Sequence, residues 1–268
     1  MKIKAEEIWR DLTEIRDKSP LVHNITNYVV MNITANALLS LGASPVMAHA
    51  EEEVEEMAGI AQALVVNIGT LSSPWIRGME KAMRRASELN KPVVFDPAGN
   101  GATGFRTETC RSLLEKTRPS IIRGNGSEVQ ALVSSGLKTK GVDSTLTADS
   151  AFEAAAAAGR LLGCTVCVSG SRDYIVKGKE TAVIHNGSSI MTRVTGLGCT
   201  ASALCGAFSA VNPSSFLAAA HAMAVMGIAG EIAGEKAASP AAFQAAFLDT
   251  LYTINEKEIR ERLKTGEL

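Results

Sequence analysis

The chain has 268 residues, of which 46% are hydrophobic and 21% are charged, and its formal net charge is −1. This size and composition predict a globular protein of one large α/β domain or two small ones. The balanced charge and the lack of a basic run argue against nucleic acid and an anionic membrane surface as partners. We expect no signal peptide and no membrane span, because the first residues are charged and no run of about 18 apolar residues occurs. Five cysteines without a leader predict reduced thiols and a cytoplasmic location.

Helical and strand patterns alternate along the chain. Helices are predicted over 6–18, 29–41, 51–57, 73–89, 106–116, from 124–128 onward, and over 148–162, 199–210, 214–235 and from 240. Strands are predicted over 21–25, 44–47, 64–68, 92–95, 120–123, 165–168, 174–176 and 182–184. The alternation predicts an α/β fold with a mainly parallel central sheet and helices on both faces. The last two strands form a predicted hairpin and therefore an antiparallel edge. No linker or repeat interrupts the pattern, so we expect a single domain over 1–268.

The segment from Val194 to Val211 begins with a turn that contains Gly196 and Gly198, and it continues as a run of small and apolar residues. Glycine lets the backbone approach a ligand closely, and the free N–H groups and dipole of a helix start favour an anion. We therefore predict an anion hole at the two glycines, most simply for a phosphate. Cys199 falls in the first turn, where the helix start should favour its thiolate. The alternative interpretation is a glycine-rich turn that leads into a core helix.

Several predicted strands end in polar residues, and ligands of open α/β sheets bind outside the carboxyl ends of the strands. These ends are Asp96-Pro97, Arg123-Gly124-Asn125, Ser169-Gly170 and Thr195-Gly196. Asp96 and Glu128 are carboxylates that can hold Mg²⁺ against the charge of ATP phosphates. Glu128 fits equally well as a carboxylate that stabilises the first turn of a helix.

Other motifs point to weaker alternatives. Residues 99–104 match G-x-G-x-x-G after a strand, which leaves open an NADP-linked oxidoreductase, although the next strand ends in Arg123 rather than in an acidic residue. No P-loop motif occurs. Cys164 and Cys167 are spaced as C-x-x-C, but residues three apart on a strand face opposite ways, so we expect no metal or redox role. The histidines show no ligand spacing.

Taken together, these segments resemble the ribokinase-like fold and, within it, the hydroxyethylthiazole kinases of thiamin salvage. The segments that carry the resemblance are LVHNITNYVVMNITANALLSLGASPVMA, VVFDPAGNGAT, IIRGNGSEV, VSGSRDYI and VTGLGCTASAL. The resemblance covers nearly the whole chain. It implies transfer of a phosphoryl group from ATP to the hydroxyl of 4-methyl-5-(2-hydroxyethyl)thiazole with Mg²⁺. It also implies a homotrimer with active sites at subunit interfaces.

The resemblance further implies a role for each residue that matches a family motif. The thiazole alcohol should contact Met47, Gly196 and Asn24. ATP should contact Arg123, Ser169 and Asn125. Asp96 and Glu128 should bind Mg²⁺ near the phosphates.

Cys199 departs from the wider pattern, since ribokinase-like enzymes usually carry an aspartate base at this position. The departure argues against a sugar kinase or a pyrimidine kinase. It leaves two interpretations open, in which Cys199 is a weak general base or a small residue beside the alcohol. The remaining alternatives for the whole chain are a ribokinase-like kinase of another small alcohol, an NADP-linked oxidoreductase, and a non-catalytic ligand-binding protein.

Overall fold

A computed structural model describes residues 3–134 and 148–266. Its strands are β1 (Leu21–Ile25), β2 (Ser44–Val46), β3 (Ala63–Asn67), β4 (Val93–Asp96), β5 (Ile121–Asn125), β6 (Thr165–Ser169), β7 (Asp173–Lys177), β8 (Glu180–Ile184) and β9 (Thr265–Gly266). Within the described residues these strands form one sheet in the order β2-β1-β3-β4-β5-β6-β7-β8-β9. Strands β1 to β6 are parallel, and β7, β8 and β9 continue the sheet in antiparallel pairing. The predicted parallel sheet with an antiparallel edge is confirmed.

Helices cover both faces of this sheet. They are α1 (Ala5–Lys18), α2 (Met31–Leu41), α3 (Val54–Ile60), α4 (Ser73–Glu88), α5 (Gly104–Lys116), α6 (Gly126–Val133), α7 (Ala148–Leu162), α8 (Leu197–Val211), α9 (Ser215–Lys236), α10 (Pro240–Thr253) and α11 (Glu256–Arg262). A short 3₁₀ helix, Ser189–Arg193, precedes the glycine turn. Most predicted helices are observed within a few residues of their expected ends.

The apolar core lies in two clusters, one on each face of the sheet. Helices α1, α2 and α8 to α11 enclose the first cluster, and α3, α4, α5 and α7 enclose the second. Strand β6 shows the division, because Cys167 belongs to the first cluster whereas Cys164 and Val166 belong to the second. The predicted opposite orientation of Cys164 and Cys167 is therefore confirmed, since successive side chains of a strand point to opposite faces.

Helix α9 lies in the middle of the first cluster. By length and composition it is apolar enough to cross a membrane, but 89% of its apolar stretch is buried inside the molecule. A helix that is apolar on every side can fill the core of an α/β protein in this way.

Two C-terminal elements escaped prediction. Helix α11 begins with a capping box, in which Asn255 and Glu258 bond each other's backbone N–H groups, and it buries Ile259. Strand β9 has two residues and pairs with β8. Both elements are too short to show a hydrophobic period in the sequence, and tertiary contacts fix them instead.

Candidate active site at the carboxyl ends of the strands

The polar strand ends meet at one edge of the sheet. Asn67 at the end of β3 lies opposite Asp96 at the end of β4, and Asn125 at the end of β5 lies opposite Ser169 at the end of β6. Helix α8 packs across β1, β3 and β4, so its first turn lies over the same edge. Parallel strands in register place the predicted ends at Asp96, Asn125 and Ser169 on this edge, together with Asn67, which was not predicted.

The glycine turn positions the start of α8 against two other segments. Gly196 has φ +88°, a left-handed conformation that favours glycine, and a Cβ there would lie 2.9 Å from Cγ1 of Val30. A Cβ on Gly198 would lie 2.9 Å from Nη1 of Arg123. The first helical bond of α8 runs from the N–H of Thr200 to the carbonyl oxygen of Gly196. The preceding N–H groups are therefore left without intrahelical partners, which is the geometry of an anion hole.

Arg123 brings a positive charge to this helix start. Its side chain is only 8% exposed, and its Nη2 donates to Oγ of Ser169. Burial alone would lower the pKa of Arg123, but the charge of Asp96 and other nearby acidic groups raises it above its usual value. Nε of Arg123 has no hydrogen-bond partner among the described residues. The guanidinium therefore stays charged and keeps donor capacity for a phosphate.

Asp96 is a buried carboxyl that interacts with the positive charge of Arg123 and the negative charge of Glu128. Its Oδ2 accepts a hydrogen bond of 2.7 Å from Oγ of Ser202 on α8. The pKa of Asp96 is raised to about 6, mainly by burial. The positive charge of Arg123 lowers this pKa, and the negative charge of Glu128 raises it. A cation bound here would stabilise the charged form of Asp96, so the carboxyl suits a metal ligand.

Glu128 caps a helix. Its Oε2 accepts from the backbone N–H of Asn125 at 2.8 Å, while Oδ1 of Asn125 accepts from the N–H of Glu128 at 2.9 Å. Its Oε1 accepts from the N–H of Gly99 at 2.8 Å and so ties the loop after β4 to α6. The helix-start interpretation of Glu128 is confirmed. Each carboxylate oxygen keeps a lone pair for water or a cation, so a metal role stays compatible with the cap.

We expect Glu128→Gln to lower kcat by about 10²-fold with a loss of about 1 kcal/mol in the free energy of unfolding. The amide keeps one acceptor for the cap but removes the negative charge that would face Mg²⁺. Helix α11 offers a matched control, because Glu258 makes the same capping box with Asn255. Glu258→Gln should lose similar stability and no activity, as measured by thermal unfolding and turnover. Equal turnover in the two variants would leave Glu128 with the capping role alone.

Cys199 accepts two hydrogen bonds from amide side chains. Nδ2 of Asn67 lies 3.2 Å from its Sγ, and Nδ2 of Asn27 lies 3.4 Å from it. Burial raises the pKa of the Cys199 thiol to about 12, and the charge of Asp96 adds to the effect, although both amides lower it. The expectation that the helix start favours a thiolate is therefore wrong, because desolvation outweighs the helix dipole and the amide donors. Cys199 is a neutral thiol at pH 7.

The role that the resemblance implies for Cys199, beside an acceptor alcohol, can be tested by changing its side chain. Cys199→Asp should keep or raise kcat, because a carboxylate can accept the same two amide donors, provided that its charge does not repel the triphosphate. Cys199→Ala should lower kcat only modestly, by no more than about 10²-fold, because a neutral thiol is a poor base and a loose transition state needs little proton removal. The measurement is kcat at several pH values, with Cys205→Ala on the same helix as the control. An alanine variant with unchanged kcat at every pH would make Cys199 a spacer.

Asn24 and Met47 lie on the β1 and β2 side of this edge. Nδ2 of Asn24 donates to the carbonyl oxygen of Val22 at 2.8 Å, on its own strand. Met47 follows β2 and is half-buried, and the next carbonyl oxygen, of Ala48, accepts from Nε2 of His23 at 2.6 Å. The contact of Asn24 with the alcohol stays a prediction. The amide on this side that contacts Cys199 is that of Asn27.

Asn27, Asn67 and Ser202 belong to the site but were not predicted from the sequence. One signal was available: Asn67 is a polar residue inside an otherwise apolar strand, next to its carboxyl end. The partners of Asn27 and Ser202 depend on the tertiary fold, so no local pattern identifies them.

The G-x-G-x-x-G loop has its own structural partners. It is held by Arg106, whose guanidinium donates at 2.7–2.8 Å to the backbone carbonyl oxygens of Ile68, Gly69 and Ala98. The start of α5 is capped by Oγ1 of Thr103, which accepts from the N–H of Arg106 at 3.2 Å. A dinucleotide fingerprint instead leaves the helix start free for a pyrophosphate, so the geometry does not favour the NADP alternative.

Solved structures identify the fold. A pyridoxal kinase from Staphylococcus aureus in complex with AMP-PCP has a TM-score of 0.63 at 15% identity and covers 80% of this chain and 88% of its own. A ribokinase-like superfamily protein from Enterococcus faecalis V583 has a TM-score of 0.60 at 13% identity, covering 86% of each chain. At these identities the likeness shows the fold alone, which is ribokinase-like.

Closer relatives identify the family. The sequence profile of the hydroxyethylthiazole kinase family matches residues 12–257. A hydroxyethylthiazole kinase from Syntrophus aciditrophicus is 57% identical over 265 residues, or 98% of each chain. The solved structure of the protein of that name from Pyrococcus horikoshii OT3 has a TM-score of 0.91 at 45% identity and covers 98% of this chain and 99% of its own. The chain belongs to the hydroxyethylthiazole kinase family.

Proposed function

We propose that this protein transfers the γ-phosphoryl group of ATP to the hydroxyl of 4-methyl-5-(2-hydroxyethyl)thiazole in thiamin salvage, with residues 1–268 as one kinase domain. The observation that carries the proposal is the meeting of a free helix start, a buried arginine and a buried carboxyl at one sheet edge, in a chain of this family. The residues are Gly198 on α8, Arg123 on β5 and Asp96 on β4.

Phosphoryl transfer passes through a loose transition state, so positioning and charge neutralisation dominate catalysis. The N–H groups at Gly196 and Gly198, together with Arg123, bind the phosphates of ATP. Ser169 is hydrogen-bonded to Arg123 and lies opposite Asn125 at the ends of β6 and β5, next to the proposed phosphate site. We assign to both residues contacts with ATP.

Asp96 and Glu128 would hold Mg²⁺, and their chemistry fits a hard cation that prefers oxygen ligands. Both carboxyls interact with the charge of Arg123 on β5, and Oε2 of Glu128 lies beside Gly124, 3.3 Å from where a Cβ would stand. Mg²⁺, when bound, neutralises charge on the phosphates. Burial raises the pKa of Asp96, so a neighbouring cation would stabilise the charged form of this carboxyl strongly.

The thiazole alcohol lies on the other side of the glycine turn in this proposal, with contacts to Met47, Gly196 and Asn24. Cys199 stands between this side and the phosphates. Oδ1 of Asn24 is buried without a hydrogen-bond partner among the described residues, so it can accept one from a ligand.

The test is ADP release by the purified protein with ATP and Mg²⁺, with and without the thiazole alcohol. We expect stimulation by the alcohol and loss of turnover when the metal is chelated. A panel of other small alcohols separates this substrate from another acceptor of the same fold. ATP binding with no release for any tested alcohol would contradict the kinase assignment.

We also propose a homotrimer with active sites at subunit interfaces, and a cytoplasmic location. Tyr28 and Val29, which follow Asn27 in the turn before α2, are 65% and 67% exposed, and apolar surface of this kind beside a site suits a subunit boundary. Light scattering should give a trimer, and an active monomer would contradict the shared site.

The proposed cytoplasmic location agrees with the described cysteines, which are all free, as in a reducing compartment.

A further inference from the structure

The strongest feature that the proposed roles do not use is the pair of amide side chains at Cys199. Asn67 ends β3 and Asn27 lies in the turn between β1 and α2, and they are 1% and 5% exposed. Both direct Nδ2 at the same sulfur, at 3.2 Å and 3.4 Å. Three separate parts of the fold therefore converge on one atom in the first turn of α8.

The orientation of both amides is fixed by the backbone. Oδ1 of Asn27 accepts from the N–H of Val29 at 3.2 Å, and Oδ1 of Asn67 accepts from the N–H of Gly69 at 2.9 Å. Nδ2 of Asn27 also donates to Oδ1 of Asn67 at 2.9 Å. An amide flip would place an NH₂ group against a backbone N–H, so each Nδ2 must face the sulfur.

A neutral thiol has one S–H bond and two lone pairs. With an N–H donor directed at each lone pair of Cys199, the remaining S–H must point away from Asn27 and Asn67. The sulfur then has no free lone pair for the proton of an alcohol, but its S–H can donate to a hydroxyl oxygen.

We propose that Asn27 and Asn67 are positioning residues that form an amide clamp on Cys199, directing its S–H toward the oxygen of the acceptor alcohol. The clamp acts through Cys199 and orients the hydroxyl for attack on the phosphoryl group. Asn27 does so without contact to a proposed metal ligand, whereas Asn67 also bonds Asp96. This inference rests on the proposed kinase function for its kinetic test.

A double-mutant cycle tests whether the clamp acts through Cys199. Asn67→Leu and Asn27→Leu remove the donors while keeping a branched side chain of similar shape, and we expect each to lower kcat about five- to tenfold, with KM for ATP unchanged. In the Cys199→Ala background Asn27→Leu should have no further effect, and Asn67→Leu should keep only the part of its loss that comes from its hydrogen bond to Asp96. A full additional loss in that background overturns the proposal.

Alkylation of Cys199 by iodoacetamide, followed by mass spectrometry, gives a readout that needs no kinase activity. The other cysteines are buried, so Cys199 is the accessible thiol. Because N–H donors stabilise the reactive sulfur anion, both leucine variants should react about five- to tenfold more slowly than the wild type. Asn36→Leu, an amide on α2 that bonds Asn32, should leave the rate unchanged.

Two further variants test the same loss of donors in case the leucine variants do not fold. Asn27→Asp and Asn67→Asp keep the acceptors for Val29 and Gly69 but lose the donors, and they should also slow alkylation. Unchanged or faster alkylation in folded variants overturns the clamp. If the wild type shows no kinase activity but the variants slow alkylation, the proposed function fails and the clamp stands.

Discussion

Asp96→Asn is expected to remove most of the turnover and to stabilise the protein above pH 6. The carboxylate is proposed to face Mg²⁺ and the phosphates, so its loss should lower kcat by at least about 10²-fold. Burial raises the pKa of Asp96 to about 6 in the folded protein, so the charged form is destabilising there. A neutral isostere that can still accept from Ser202 removes this penalty.

The sign of the pH dependence follows from proton binding. Between about pH 4 and 6 the folded protein holds a proton on Asp96 that the unfolded chain, with a pKa near 3.9, does not hold. The stability of the wild type therefore falls as pH rises through this window, and the penalty is complete above it. We expect the variant to gain about 1–3 kcal/mol at pH 8 and little at pH 4.

Thermal unfolding of both proteins from pH 4 to 8, without Mg²⁺, measures this difference. Asp249→Asn changes an exposed carboxylate and serves as the control, with no expected gain. A variant that is less stable than the wild type at pH 8 would show that attraction to Arg123 outweighs burial.

Gly198→Ala is expected to lower kcat/KM for ATP by about 10²-fold while leaving the fold as stable as before or slightly more stable. The new Cβ would lie 2.9 Å from Nη1 of Arg123 and must displace the guanidinium. A displacement of about 1 Å in a positioning group can cost 10²-fold. Gly198 is helical, so alanine itself should add up to about 1 kcal/mol of stability.

Gly59→Ala is the matched control, because Gly59 is also helical and a Cβ there has nothing within 4 Å. It should gain similar stability and keep full activity. The measurements are steady-state kinetics with varied ATP and thermal unfolding. Unchanged kinetics in Gly198→Ala would mean that Arg123 can move without loss, and would remove it from the phosphate site.

At the start of α8, the backbone conformation could be predicted from the sequence, but the protonation state of Cys199 could not. The sequence correctly predicted a glycine turn followed by a buried helix, because glycine spacing and a small apolar run are local features. The thiolate was predicted wrongly, because the pKa of Cys199 depends on burial among β3, β4 and the turn before α2. Glu128 was predicted with two interpretations, and its capping box could be settled only when the N–H partners were known.

Local sequence patterns were enough to predict the order of strands and helices, the mainly parallel sheet and the polar strand ends that meet at its edge. Hydrophobic period and turn residues act over a few positions, so they can be read from neighbours in the chain. The folded structure was needed to show that Asn27 and Asn67, which lie 172 and 132 residues before Cys199, bond its sulfur. It also decided that Cys199 stays protonated and that Asp96 is held near pKa 6. Hydrogen bonds and desolvation depend on distances between remote segments, and those distances exist only when the chain has folded.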